Sequence, residues 1–412
     1  MTLSSDALSR EIIDTVEQQR EDVVALCAAL VAAPSVNPPG DTRQVADVVS
    51  HALTARGLPS RQLHTDPVMP SVVAELDSGR PGPHLILNVH LDTMPPGDES
   101  AWSQPVWSLT RTGGRLYGLG MGNMKGAVAA MITATALLAE RSAHWAGKIT
   151  FTAVSDEVVF GDNGAAHLLR KHPQWYGDGL LCGEGPGFQR LAIGEKGVLW
   201  VELTATGPAG HSSAVTAGTS ASARIAAAIT AVDALTGTPG VLPDELAALA
   251  VGRDTSDPDP GLLLTANIGT VTAGTFIGQI ATAARAEVDL RLPPGLDTSE
   301  SLALVHRAVS EVATVQVRQI KGWDANWTTP EAPLTQAWQR AARTVSGTAS
   351  EYAIRLPASD ASRWRQNGVP ALCFGPQPTW SAGIDDYADE DEVLRCAALY
   401  AVTALNVLRS GD

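Results

Sequence analysis

Three short segments place acids or a histidine directly after apolar, strand-like runs. His90-Leu91-Asp92 closes the run 84–90, Ser155-Asp156-Glu157 follows 148–154, and Gly183-Glu184-Gly185-Pro186 follows Leu180-Leu181-Cys182. Ligands of open α/β sheets bind outside the carboxyl ends of the strands. Carboxylates and an imidazole converging there from several strands are what a metal site or an acid–base site needs. Each piece alone has a plainer reading: a structural His–Asp pair, a solvated strand-end glutamate. Cys182, two residues from Glu184, reads as a nucleophile or as a small buried core residue. The run Gly118-Leu119-Gly120-Met121-Gly122-Asn123-Met124-Lys125-Gly126 has the look of a nucleotide loop, but it lacks GxGxxG spacing and a GK[ST] ending.

The elements that must carry these residues follow from periodicity. Residues 6–33 read as one amphipathic helix, closed by Pro34-Ser35-Val36-Asn37-Pro38-Pro39-Gly40, and a second helix covers about 42–56. The apolar, β-rich runs 84–90 and 148–154 predict buried strands, with helices at 124–140 and 162–171. Near residue 196 the pattern changes. Strands at 196–206, 262–272, 279–292 and 315–320, with helices at 219–235 and 299–313, give a strand–helix–strand–strand–helix–strand order, which predicts a ferredoxin-like α+β insert. The Pro/Asp/Gly stretch 252–261 reads as a loop within it. A helix at 333–346, a strand at 369–374 and a helix at 391–409 return to α/β character. The fold expected is a mixed, largely parallel sheet flanked by helices. Residues 1–195 and 322–412 form the catalytic α/β domain, and 196–321 form an inserted lid or dimerisation domain.

Composition narrows the function. The 412 residues carry a formal net charge of −15, which argues against nucleic acid or an anionic membrane as a partner. The N-terminus lacks a signal-peptide pattern, and no apolar run approaches the ~20 residues of a membrane span. Four scattered cysteines (Cys27, Cys182, Cys373, Cys396) make neither a disulfide framework nor a zinc ribbon, which favours a reducing cytoplasm.

The ordered set of motifs resembles the zinc amidohydrolase and peptidase family that includes acetylornithine deacetylase, succinyl-diaminopimelate desuccinylase, carboxypeptidase G and aminoacylase. The resemblance rests on Pro34-Ser35-Val36-Asn37-Pro38, His90-x-Asp92, Asn123-Met124-Lys125-Gly126, Asp156-Glu157 and Gly183-Glu184. It continues through Gly194-Glu195-Lys196-Gly197, Gly210-His211-Ser212-Ser213, Asp289-Leu290-Arg291, Ser359-Asp360 and Phe374-Gly375-Pro376. It implies that His90 and Glu184 are ligands of one zinc and that Asp92 orients His90 through the other ring nitrogen. It makes Glu157 the general base. It also implies that His211 reaches an active site across a homodimer interface to stabilise an oxyanion, and that Arg291 clamps a substrate carboxylate.

Three departures break the pattern. The family's bridging aspartate is Asn123, which leaves that residue a substrate contact or a poor ligand. The glutamate after the base is Val158. The C-terminal ligand histidine falls at Ala382, and no histidine follows His306. Asp385 and Asp386 read as substitute ligands or as a loop. Trp323, Trp327 and Trp380 read as pocket lining or ordinary packing. Catalytic zinc usually takes three protein ligands, so the expectation is a site without metal, or with one weakly held divalent ion such as zinc. With no metal present, carboxylates at 123 and 158 would add uncompensated charge beside Asp92, Glu157 and Glu184. The first functional expectation is therefore metal-independent Glu157/His211 chemistry at an amide or acyl bond of a small, amino-acid-like, carboxylate-bearing substrate, by acyl transfer, amide formation, cyclisation or hydrolysis. The alternatives are a mononuclear metal-dependent deacylase or carboxypeptidase, and a non-catalytic binding protein on the same scaffold.

Overall fold

The computed structural model describes residues 5–187, 190–249, 260–378 and 383–409. The chain divides into two compact units. The larger takes Met1–Ile193, Trp327–Ala353 and Ser359–Asp412, and the smaller takes Gly194–Asn326 and Ile354–Ala358.

In the larger unit the strands run in the order Ser60–His64, Pro70–Asp77, Lys148–Val154, His84–His90, Gly179–Cys182, Ala371–Cys373. The last four are mutually parallel, and the first two join by antiparallel pairing. Apolar runs without alternation form the parallel centre, because helices cover both faces of such strands and every position is buried. His84–His90 and Lys148–Val154 are buried along nearly their whole length. The helix Gly126–Glu140 is Ala/Leu/Met-rich and buried on almost every side, as a helix apolar all round must be. It packs between the strand His84–His90 and the C-terminal helix Glu390–Leu408, which in turn rests on Pro333–Ser346.

The register fixes where the strand ends fall. His90 pairs with Val154, Asn88 with Cys182, and Cys182 with Cys373. The segments beginning at Leu91, Ser155 and Gly183 therefore leave one edge of the sheet side by side.

The smaller unit is a four-stranded antiparallel sheet in the order Thr265–Ala273, Ala283–Leu292, Gly197–Thr206, Val315–Trp323. Its helices are Ala221–Asp233 and Thr298–Val309. With strands numbered along the chain this is the 2-3-1-4 order of a ferredoxin-like fold. Leu199, Val201, Leu203 and Ala205 alternate into the core beneath the helices, the period of two that a half-buried strand shows. Asp297 and Glu300 form a reciprocal capping box at the start of the second helix.

One expectation needs correction. Residues 6–33 form two helices, Ser5–Gln18 and Arg20–Val31, and not one. No glycine or proline marks the junction at Gln19, so nothing local announces it. The strands Ser60–His64 and Pro70–Asp77 have no counterpart in the sequence reading. The first is only partly buried and shows a weak apolar pattern. Most of the stretch 252–261 lies outside the described residues, as do Trp380 and Ala382.

Candidate active site

His90 ends its strand almost fully buried, and both of its ring nitrogens are engaged. Nδ1 lies 2.8 Å from the main-chain oxygen of Asp92, and Nε2 lies 2.8 Å from Oδ1 of Asn123. Oxygens of these two kinds only accept hydrogen bonds. With the Asn123 carboxamide in this orientation both nitrogens are placed to donate, the arrangement that suits an imidazolium. Glu184 Oε1 stands 3.4 Å and Glu157 Oε2 3.7 Å from Nε2. Burial works against the imidazolium, but Glu157, Glu184 and Asp92 outweigh it and hold the His90 pKa well above its ordinary value.

The orienting contact on His90 is the main chain of Asp92. The Asp92 carboxylate is 3.6 Å from Nδ1, and its hydrogen bonds go elsewhere. Oδ1 accepts the N–H of Glu157 at 3.2 Å. Oδ2 accepts the N–H of Val158 at 3.0 Å and Asn37 Nδ2 at 2.9 Å. Asp92 thus ties the end of one strand to the turn that carries Glu157. Asp156, in the left-handed region at φ 66°, accepts the N–H of Asn163 at 3.0 Å. A Cβ on Gly161 would sit 2.0 Å from the Asp156 carboxylate, so only glycine lets this turn close.

Glu157 is itself buried, and its Oε1 has no hydrogen-bond partner. Burial pushes its pKa well above the usual carboxylate range. The His90 charge opposes this, while Glu184, Asp360 and Asp92 add to it.

Asn123 is presented by the glycine-rich loop, which other residues hold in place. Asp386 accepts the N–H of Gly120 at 2.8 Å and of Gly122 at 3.3 Å. Gly120 has φ +86°, and a Cβ there would lie 2.6 Å from Thr93 Cγ2. Lys125 is buried and donates to the Ala33 carbonyl at 3.0 Å. Burial lowers its pKa to about 7, against the pull of Asp386. Asp385 accepts from Ser103 and Gln104. Both aspartates therefore serve loops. Cys182 is a core residue: burial and then the neighbouring Cys373 push its thiol well up, and a thiol held neutral is a poor nucleophile.

Of the residues the sequence singled out, His90, Asp92, Asn123, Glu157 and Glu184 come together. His211 and Arg291 belong to the smaller unit. His211 is exposed, and its Nδ1 accepts the N–H of Ser213 at 3.2 Å. Arg291 is held by Asp289, from Nε at 2.9 Å and Nη2 at 2.9 Å. Trp323 flanks Lys321, whose ammonium stands 3.9 Å over the Trp200 ring. Sequence reasoning quoted Asn37, Lys125 and Asp360 within motifs but gave them no role. Only the tertiary contacts reveal one.

The family pattern implies two zinc ions, and the donor set decides whether they fit. His90, Glu157 and Glu184 present ligand atoms within 4.8 Å of one another, the one such group among the described residues. One ion fits there once Nε2 gives up its proton. The donors that the family pattern gives a second ion are missing. Asn123 and Val158 supply no charged donor, and Thr379-Trp380-Ser381-Ala382 contains no histidine, cysteine or acid.

Residues 86–406 match the family model described as peptidase family M20/M25/M40. The chain belongs to this enzyme family. It is 27% identical over 398 residues to a succinyl-diaminopimelate desuccinylase of Rhodospirillum centenum, covering 92% of this chain and 95% of that one. It is 35% identical over 198 residues to the enzyme of the same name from Methylobacterium radiotolerans. That match spans 45% of this chain and only about half (49%) of the relative. The fold is that of the di-peptidase Dug1p from Saccharomyces cerevisiae, with a TM-score of 0.78 over 99% of this chain and 100% of that one at 13% identity.

The Asp92 contacts yield a prediction. Asp92→Ala leaves the main-chain N–H groups of Glu157 and Val158 without acceptors, at roughly 1–3 kcal/mol each, and leaves Asn37 Nδ2 only its longer bond to Asp156 Oδ1 at 3.3 Å. Urea denaturation is expected to show a loss on the order of 3 kcal/mol, and a smaller one for Asp92→Asn. An unchanged midpoint for Asp92→Ala contradicts the role given to this carboxylate.

Proposed function

We propose that the protein acts at an amide or acyl bond of a small, amino-acid-like, carboxylate-bearing substrate, with Glu157 as the proton-handling group and no dinuclear zinc centre. The observation that carries this reading is the buried, unpartnered Oε1 of Glu157 beside an imidazole engaged at both nitrogens. A carboxyl with a raised pKa is suited to take a proton from an attacking amine or water and return it to the leaving group near neutral pH. The relatives named succinyl-diaminopimelate desuccinylase support amide chemistry on an acylated amino acid. Transfer to an amine, or cyclisation, asks less of the site than hydrolysis, because an amine needs less activation than water.

His211 is the proposed oxyanion donor. Its Nδ1 accepts from the Ser213 main chain, which leaves the neutral ring's proton on Nε2, free to donate. Arg291 is the proposed carboxylate clamp, and Asn123 a substrate contact. The segment 196–321 is proposed as the lid and dimerisation domain of a homodimer, with His211 serving the partner's site. Four buried free cysteines favour a reducing cytoplasm, and among the described residues no helix is long and apolar enough to cross a membrane.

A second reading has one observation in its favour. The compact His90/Glu157/Glu184 group fits a single divalent ion, held chiefly by His90 and Glu184. Such an ion supplies Lewis-acid polarisation and a more acidic bound water. In that case Glu157 gives up part of its freedom as a base.

Glu157→Gln is expected to lower kcat roughly 10²- to 10⁴-fold on a panel of N-acyl amino acids and dipeptides, with an unchanged circular dichroism spectrum. Since the base form must be ionised, wild-type activity rises with pH through a limb placed above the ordinary carboxylate range, and that limb vanishes in Glu157→Gln. Full activity of the variant sinks the assignment. Mixing inactive His211→Ala and Glu157→Ala chains is expected to restore activity, because a mixed dimer keeps one complete site. No recovery after subunit exchange contradicts the shared site.

A further inference from the structure

Three arginines line a cavity of about 430 Å³ at the opposite end of the sheet: Arg340, Arg343 and Arg409, with Asp6, Thr344 and Asn406 beside them. The cavity sits where three helices of the larger unit meet. Ser5–Gln18 and Pro333–Ser346 both pack on the C-terminal helix Glu390–Leu408. Asn406 Nδ2 donates to the Ala337 carbonyl at 3.1 Å, which locks the last turn of one helix onto its neighbour. The Leu408 carbonyl accepts the N–H of Ala146 at 2.8 Å, two residues before the strand Lys148–Val154 begins. Glu157 follows the other end of that strand. Its length, roughly 20 Å, separates the cavity from the proposed chemistry.

Arg340, Arg343 and Thr344 fall at i, i+3 and i+4 on one helix face, and Arg409 follows the end of the C-terminal helix. The chain carries 44 acids against 29 lysines and arginines, so a surface arginine readily finds a carboxylate. Arg20, Arg43, Arg111 and Arg141 all do. Arg340, Arg343 and Arg409 form no ion pair among the described residues. The Arg343 guanidinium reaches only the Gln339 carbonyl of its own helix, at 3.4 Å. Asp6 is the one acid in the lining, so positive charges outnumber negative by three to one. Cations near helix C-termini also complement the helix dipole. That accounts for Arg343 and Arg409. It does not account for Arg340, which lies before the last turn, or for the cavity between the three. Like charges held together by packed helices repel one another, and an anion placed between them removes that cost.

We propose that this cavity binds a phosphate group, either inorganic phosphate or one carried on a small molecule. Each guanidinium offers a planar fork of N–H donors. A phosphate has enough oxygens, and enough charge, to face three forks at once. A single carboxylate has two oxygens and one charge, and satisfies fewer. The Asn406 amide and the Thr344 hydroxyl already donate to helix carbonyls, so the arginines are the donors left for the ligand. The site uses none of the residues of the proposed reaction and does not depend on it.

Isothermal titration calorimetry and thermal melting of the full-length protein test this, at constant ionic strength balanced with potassium chloride. Inorganic phosphate and phenyl phosphate are the probes, and acetate is the control. Saturable binding and a raised melting temperature are expected with at least one phosphate and not with acetate. Arg340→Gln/Arg343→Gln should weaken that binding at least about tenfold, and Arg340→Lys/Arg343→Lys should fall between it and wild type. Both side chains are exposed. Without phosphate each double variant should therefore melt near the wild-type temperature, which separates lost binding from lost folding. Tighter binding of phenyl phosphate identifies a phosphorylated molecule as the ligand class, and tighter binding of inorganic phosphate the free ion. Either supports the site. Equal responses to phosphate and acetate overturn the inference, as does the absence of saturable binding. Unchanged affinity in Arg340→Gln/Arg343→Gln also overturns it, because the phosphate then binds elsewhere on the protein.

Discussion

The imidazole of His90 is the cation around which the carboxyl edge of the sheet is arranged. It is held by the main chain of Asp92 on one side and the carboxamide of Asn123 on the other, with Glu157 and Glu184 a little farther off. A buried carboxylate needs a nearby positive charge or a proton. Here much of the charge comes from a ring whose two nitrogens both face acceptor oxygens. The neighbouring elements serve this centre. Asp92 pins the Glu157 turn, Asp386 and Lys125 hold the loop that presents Asn123, and Gly161 lets the turn close.

This constraint gives the departures from the family pattern a common physical sense. On the proposed reading, an imidazolium standing where the family pattern has two divalent cations neutralises fewer carboxylates. Asn123 accepts a hydrogen bond from His90 without adding charge. Val158 keeps the main-chain N–H that Asp92 needs and removes a side-chain acid. The excess that persists is carried on Glu157 and Asp360, both displaced upward in pKa. They are also the two acids at this corner that hold an unpartnered oxygen. Neutral replacements at 123 and 158 thus accompany retained acids at 157 and 184, a combination suited to proton transfer near neutral pH.

Much of this was legible in the sequence, for identifiable reasons. The strands 84–90 and 148–154 were read to the residue, because fully buried parallel strands are short unbroken apolar runs. The ferredoxin-like order followed from elements of ordinary length and clear period. His90, Asp92, Asn123, Glu157 and Glu184 were found because each adjoins such a run or a glycine-rich loop. What escaped notice depends on contacts between distant segments. Asp360 follows no apolar strand, and its effect on Glu157 comes from tertiary proximity alone. The hydrogen bonds of Asp92 to residues 37, 157 and 158 have no local signature. The division of 6–33 into two helices has none either, since a junction without glycine or proline keeps the helical period on both sides.

The central claim is that this edge of the sheet is built for at most one metal ion, with His90 supplying charge that a second would bring. Zinc stoichiometry by mass spectrometry, on protein saturated with zinc and then desalted, tests it most directly. The account predicts no more than one zinc per chain, removable by a mild chelator. Two tightly held zinc ions per chain would contradict it.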